Sequence, residues 1–157
     1  MAIFDAMFEF MDDAELTGSS TTLYLPISTW KELDWVLADK EMGAGEPLWL
    51  NIRVGTTAYS SGTTDTDTAT FKLFADDTSA GQDANSVEIA SSGPIAMSAL
   101  TAGDWILRQP LKYNCDDERY LTIGAVFSDN ISAGTVDAWL DHGPQSSYDT
   151  QVANSNI

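Results

Sequence analysis

The sequence is short of the residues that carry most protein chemistry: one cysteine, one histidine, and seven Lys plus Arg set against 24 Asp plus Glu. A lone Cys115 excludes an intramolecular disulfide framework and any zinc site built on paired cysteines, and it fits a chain that folds in a reducing cytoplasm. The shortage of cations leaves a net charge of −17 over 157 residues, which repels a phosphate backbone or an anionic membrane surface. Neither nucleic acid nor a membrane is expected as a partner. No apolar run approaches the roughly 20 residues of a spanning helix. The apolar opening, MAIFDAMFEFMDDAEL, has no basic leader segment and is interrupted at Asp5 and Glu9, so it reads as mature protein rather than signal peptide.

The grammar of an enzyme is missing too. The one imidazole, His142, follows Asp141 and precedes Gly143-Pro144, a turn context, and no G-x-S-x-G or other nucleophile signature accompanies it. Two carboxylates flanking a groove would suffice for glycoside hydrolysis, but among 24 the sequence singles out no pair. Asp65/Asp67, Asp76/Asp77 and Asp116/Asp117/Glu118 offer hard oxygen ligands of the kind calcium takes, yet none matches an EF-hand loop. They read as a solvated acidic surface. No catalytic residue, metal or cofactor is expected.

What the chain does contain is period-two patterning between turn-forming loops. Leu48, Leu50, Ile52 and Val54 alternate with Trp49, Asn51 and Arg53; Ala69, Phe71, Leu73 and Ala75 share one face of the next strand. Shorter strands are expected around 87–90, 94–97 and 105–107, the last after the Ala102-Gly103-Asp104 turn. From Glu118 to Asp141, Leu121, Ile123, Ala125 and Phe127 share one face with Tyr120, Thr122 and Ser128 on the other, then Val136, Ala138 and Leu140 alternate with Thr135, Asp137 and Trp139. The linking Ser-Asp-Asn-Ile-Ser-Ala-Gly, with Gly134 free to take positive φ, predicts a β-hairpin. A second sheet must cover its apolar face.

The N-terminal third is less regular. Ile3, Phe4, Met7, Phe8 and Met11 fall on one helical face opposite Asp5, Glu9 and Asp13, which predicts a short amphipathic helix or a docked extended arm. Leu23-Tyr24-Leu25-Pro26 reads as a short edge strand. Residues 28–42 support two readings: capping-box spacing of Thr29 and Glu32, with Trp30, Leu33 and Leu37, favours a helix closed by Gly43, while a strand over 28–35 is the alternative.

Together these features predict an all-β fold, a jelly-roll-like antiparallel β-sandwich over 23–142, preceded by an arm or helix at 1–22 and followed by a polar tail at 143–157. Trp49 and Trp139 alternate with the aliphatic set, so they sit on the far face of their strands. Exposed there, they would form a protein interface or a carbohydrate platform; covered, they would pack beneath residues 1–42.

Several stretches, in order, resemble the jelly-roll cement, or decoration, proteins of tailed-bacteriophage capsids: Phe10-Met-Asp-Asp-Ala-Glu-Leu-Thr17, Ser28-Thr29 with Asp34, Gly45-Glu-Pro-Leu-Trp-Leu50, the Ser-Ala-Leu-Thr-Ala-Gly turn ending at Gly103, Arg119-Tyr120-Leu121, and Ala133-Gly134-Thr-Val-Asp-Ala-Trp-Leu140. The chain departs from that pattern in the Thr-rich loop at 56–67, in extra residues between Thr17 and Ser28, and in the tail. The resemblance makes residues 28–35 a strand. It implies a non-enzymatic homo-oligomer, dimer or trimer, made in the host cytoplasm and bound to the outer surface of an HK97-type capsid, where it bridges neighbouring major capsid proteins. Ile3, Phe4, Met7, Phe8, Met11, Trp49 and Trp139 are then the expected capsid or subunit contacts. A carbohydrate-binding β-sandwich is the rival expectation, and a glycosidase the third.

Overall fold

In the computed structural model, residues 9–15, 22–23, 33–34, 49–61, 67–76, 86–111 and 120–141 are described. They form ten strands, β1 (Glu9–Glu15), β2 (Thr22–Leu23), β3 (Leu33–Asp34), β4 (Trp49–Val54), β5 (Thr68–Asp76), β6 (Val87–Ser91), β7 (Ile95–Ala96), β8 (Trp105–Pro110), β9 (Tyr120–Phe127) and β10 (Thr135–Asp141), with one 3-10 turn at Met97–Ala99. One sheet runs β1-β10-β4-β8 and the other β2-β9-β5-β6, every pairing antiparallel. The short β3 joins the same edge of β9 as β2, and β7 joins the same edge of β5 as β6. Each of these pairs thus fills one position in its sheet. Numbering the positions along the chain gives 1-8-3-6 in one sheet and 2-7-4-5 in the other, the double Greek key of a jelly roll.

The alternation in the sequence places the core. Leu50, Ile52 and Val54 from β4 and Val136, Ala138 and Leu140 from β10 face Ala69, Phe71, Leu73 and Ala75 from β5 and Leu121, Ile123, Ala125 and Phe127 from β9, all of them buried. At one end Tyr59, Phe71 and Phe127 pack as an aromatic cluster with centroids 5.6 to 6.4 Å apart. Edge-to-face pairs of this kind add to the burial of apolar area.

Three expectations need correction. The 118–141 segment is not a hairpin: β9 lies in the centre of one sheet and β10 in the centre of the other, and residues 128–134 cross between them. That crossing is pinned by backbone bonds. The Ser128 N–H donates to the Thr68 carbonyl at 2.9 Å, the Ser60 N–H to Ala133 at 3.0 Å and the Thr135 N–H to Thr57 at 3.0 Å. A hairpin would pair its two arms with each other, whereas β9 pairs with β2, β3 and β5 and β10 pairs with β1 and β4.

Over Glu9–Glu15 the helix gives way to the other reading, a docked extended segment: β1 pairs with β10 through two register shifts. The shifts let the consecutive Phe10 and Met11 both reach the core, which simple alternation forbids. Asp67 and Asp76, expected on a solvated acidic surface, are buried, and Asp76 accepts a hydrogen bond from the Ser86 hydroxyl. Of the ambiguous 28–42 segment, Leu33–Asp34 is strand and the rest lies outside the described residues, as do His142, Cys115, Asp116–Glu118 and the 143–157 tail.

Candidate functional site

Strand β8 departs from regular pairing in a way that builds a surface feature. Its partners on β4 run Trp49↔Pro110, Leu50↔Gln109, Asn51↔Arg108 and Ile52↔Leu107, and then the register slips so that Arg53 pairs with Trp105. Ile106 is the extra residue of this bulge. It lies in the core and Leu107 packs against the core, so Trp105 and Arg108 both point to the outer face. In an unbroken strand residues three apart lie on opposite faces. Here the Arg108 guanidinium stacks over the Trp105 ring at 4.3 Å.

The neighbouring strands extend this ledge. Trp139 of β10 meets Trp105 with centroids 5.7 Å apart, and the Arg53 guanidinium lies 5.7 Å from the Trp139 ring. Arg53 is held in place by its Nε, which donates to Asp137 Oδ2 at 2.7 Å, while Asp137 Oδ1 accepts the Asp13 N–H at 2.6 Å. Under the rings Asn51 is fully buried. Its Nδ2 donates to the Trp49 carbonyl at 3.3 Å, and among the described residues its Oδ1 has no hydrogen-bond partner. Of the described basic residues, Arg53, Lys72 and Arg108, two sit on this face; Lys72 lies on the other sheet, paired with Glu88 at 2.7 Å.

Beside the ledge, Asp13 closes the end of β1. It adopts φ +47°, and its carboxylate accepts from the Thr56 N–H and the Thr56 hydroxyl, each at 2.7 Å. Hydrogen bonds from the Thr135 side chain first, and then from Thr56, hold its carboxyl below the usual carboxylate range. Asp13 and Asp137 together fasten β1 to the sheet.

The residues singled out by sequence distribute unevenly. Trp139 is only 5% exposed, so its ring does not present an open platform. Trp49 is half-buried at the start of β4. Met11 is inside the sandwich, which removes its side chain from any outer contact, and Ile3, Phe4, Met7 and Phe8 lie outside the described residues. Trp105, at 36%, and Val87 are the exposed large apolar residues among those described, and sequence reasoning missed both. Among the described residues no three His, Cys, Asp or Glu gather as a metal site, and no helix is long and apolar enough to cross a membrane.

The fold and this face define a jelly-roll β-sandwich with an aromatic and guanidinium ledge on one sheet. The Bbp16 family model matches residues 26–140, which span the sandwich from β3 through nearly all of β10. The chain belongs to the Bbp16 family, a family of phage proteins. No curated protein matches it.

Proposed function

We propose that this chain is a capsid cement protein: a homo-oligomer that binds the outer surface of a tailed-phage HK97-type shell and bridges neighbouring major capsid proteins, without catalysis or a cofactor. The observation that carries this reading is the phage-family match across the jelly roll. The acidity supports the outward location, since a net charge of −17 is unsuited to the DNA-filled interior. Bridging contacts of about 1,200–2,000 Å² each, repeated over a lattice, stabilise the closed shell by linkage because the protein binds the intact lattice and not its separated parts.

Mass action supplies the test. The melting point of purified matured shells should rise with free protein concentration, since binding stabilises the shell by about 2.7 kcal/mol per site at a hundredfold excess over Kd. Shells whose melting point ignores the protein, or that fail to bind it at micromolar concentration, would refute the proposal. The partly exposed Trp105 ring keeps a second reading in play, a carbohydrate-binding module, because an indole face can stack on a sugar ring. Quenching of Trp fluorescence by soluble oligosaccharides, with no shell binding, would favour that reading.

A further inference from the structure

We propose that the sheet edge formed by β6 and β7 is the surface by which two copies of this chain join as a dimer about a twofold axis. The inference deepens the homo-oligomer of the cement reading and rests on that part of it, not on the shell.

The core is left open along this edge. Val87 lies opposite Ala75 and Ile95 opposite Ala69, so both side chains sit on the core face of their sheet. Yet Val87 is 48% exposed, and Ile89 and Ile95, which pack against the core, are only half-buried. Among the described residues β6 pairs with β5 alone, and its outer edge meets no strand.

The one charge on this edge is neutralised in place. Glu88 is the sole charged residue from Ser86 to Gly103, on a chain in which charged residues make up 20%. The register of β6 slips between Ala90 and Glu88, with Ile89 as the extra residue. In an unbroken strand Glu88 would share the core face with Ala90. The slip sets it opposite Phe74 on the outer face, where it binds Lys72 at 2.7 Å.

Charge also selects the occupant. A second copy brings another net −17, so contact costs least where like charge is scarce. The remaining edges are unsuited: β1 carries Glu9, Asp12, Asp13 and Glu15 with two register shifts, β2 and β3 are two residues each, and β8 is bulged and ends in Pro110, which has no N–H. An antiparallel edge is its own complement about a twofold axis. Because the bulge interrupts β6, the aliphatic side chains close the contact more than a long ladder does. β6 is five residues long, so in any register the two Glu88 carboxylates come close, and Lys72 in each copy offsets their repulsion.

The test is analytical ultracentrifugation of the full-length protein over a concentration series. The wild type should be a dimer whose Kd falls as salt screens the net charge. Val87→Asp puts two carboxylates into the contact and should raise that Kd about tenfold or more. Lys72→Ala leaves both Glu88 groups uncompensated and should raise it about two- to fivefold, and adding Glu88→Ala should restore it, a rescue that a merely structural role for Lys72 does not predict. Asp12→Ala, exposed on β1, should not weaken the dimer. Thermal melts separate lost contact from lost fold; if Val87→Asp destabilises the sandwich, the Lys72 and Glu88 variants decide.

A wild type that is monomeric throughout the series, or trimeric, overturns the inference, as does undiminished dimerisation of both Val87→Asp and Lys72→Ala. Co-sedimentation of the same proteins with purified matured shells keeps the two proposals apart. If Val87→Asp stays dimeric but no longer binds shells, the edge docks on the shell and the inference is overturned. If the dimer behaves as expected and the wild type ignores shells, the cement reading falls and this inference stands.

Discussion

Gly134 ends the crossing from one sheet to the other, and replacing it with alanine should damage the fold more than a loop position would suggest, because it is buried. Its φ of +149° lies where side chains are strained, and a Cβ built there falls 2.5 Å from Tyr59 Cδ1 and 2.6 Å from Cε1. The ring cannot retreat, because it is packed on Phe71 and Phe127. Backbone strain of about 1–3 kcal/mol and overpacking of about 1–3 kcal/mol combine to about 2–6 kcal/mol, a large part of the stability of a domain this size. At about 2–4 °C per kcal/mol, Gly134→Ala should lower Tm by about 4–24 °C. Gly93 is the internal control: its φ is +68°, but nothing lies within 4 Å of an added Cβ, so Gly93→Ala reports the backbone cost alone. Urea and thermal unfolding followed by circular dichroism would measure both. A Gly134→Ala variant as stable as Gly93→Ala would refute the claim that Tyr59 blocks this position.

The Tyr59 hydroxyl is buried with no hydrogen-bond partner among the described residues, so Tyr59→Phe should be neutral or stabilising by up to about 1 kcal/mol in urea unfolding. Burial also raises the Tyr59 pKa above its ordinary 10.0. Its contribution is therefore complete below that pH and is lost as pH rises toward the folded value, and Tyr59→Phe should flatten the alkaline limb of the stability curve. Asp13 runs the other way: its depressed carboxyl contributes above the ordinary 3.8 and the contribution is lost as pH falls through the folded value. Asp13→Asn, which tolerates the same positive φ, should speed amide exchange in β1 at neutral pH, with the difference from the wild type shrinking as pH falls through the folded value of Asp13. Finally, exposed like charges repel over a Debye length of about 8 Å at physiological ionic strength, so a chain at −17 should melt at higher temperature as salt rises. A Tm that is flat or falls between low and high NaCl would contradict this.

The strands with one clean apolar face, β4, β5, β9 and β10, were legible because period-two patterning reports burial directly. Their partners were not. The 128–134 link has the turn residues of a hairpin, but the same residues serve a crossing between sheets, and only the pairing of β9 with β5 and of β10 with β4, both distant in sequence, separates the two. Residues 9–15 were misread for a related reason: the register shifts in β1 bury Phe10 and Met11 together, and with Phe4, Met7 and Phe8 that spacing imitates a helix. Deleting residues 2–11 would therefore remove two core side chains instead of a detachable arm. The ledge was hidden by the same physics. Trp105 and Arg108 are three apart, which in an ideal strand separates them, and the bulge that unites them depends on pairing with β4. Trp139 was found as the aromatic on the far face, but its burial was not legible.

The central claim is attachment to the outside of a shell, and the most direct measurement is the position of the labelled protein on purified matured particles imaged by electron microscopy. The account predicts label at regular lattice positions on the outer surface, displaced by excess unlabelled protein. Label that is absent from the particles, or confined to their interior, would contradict it.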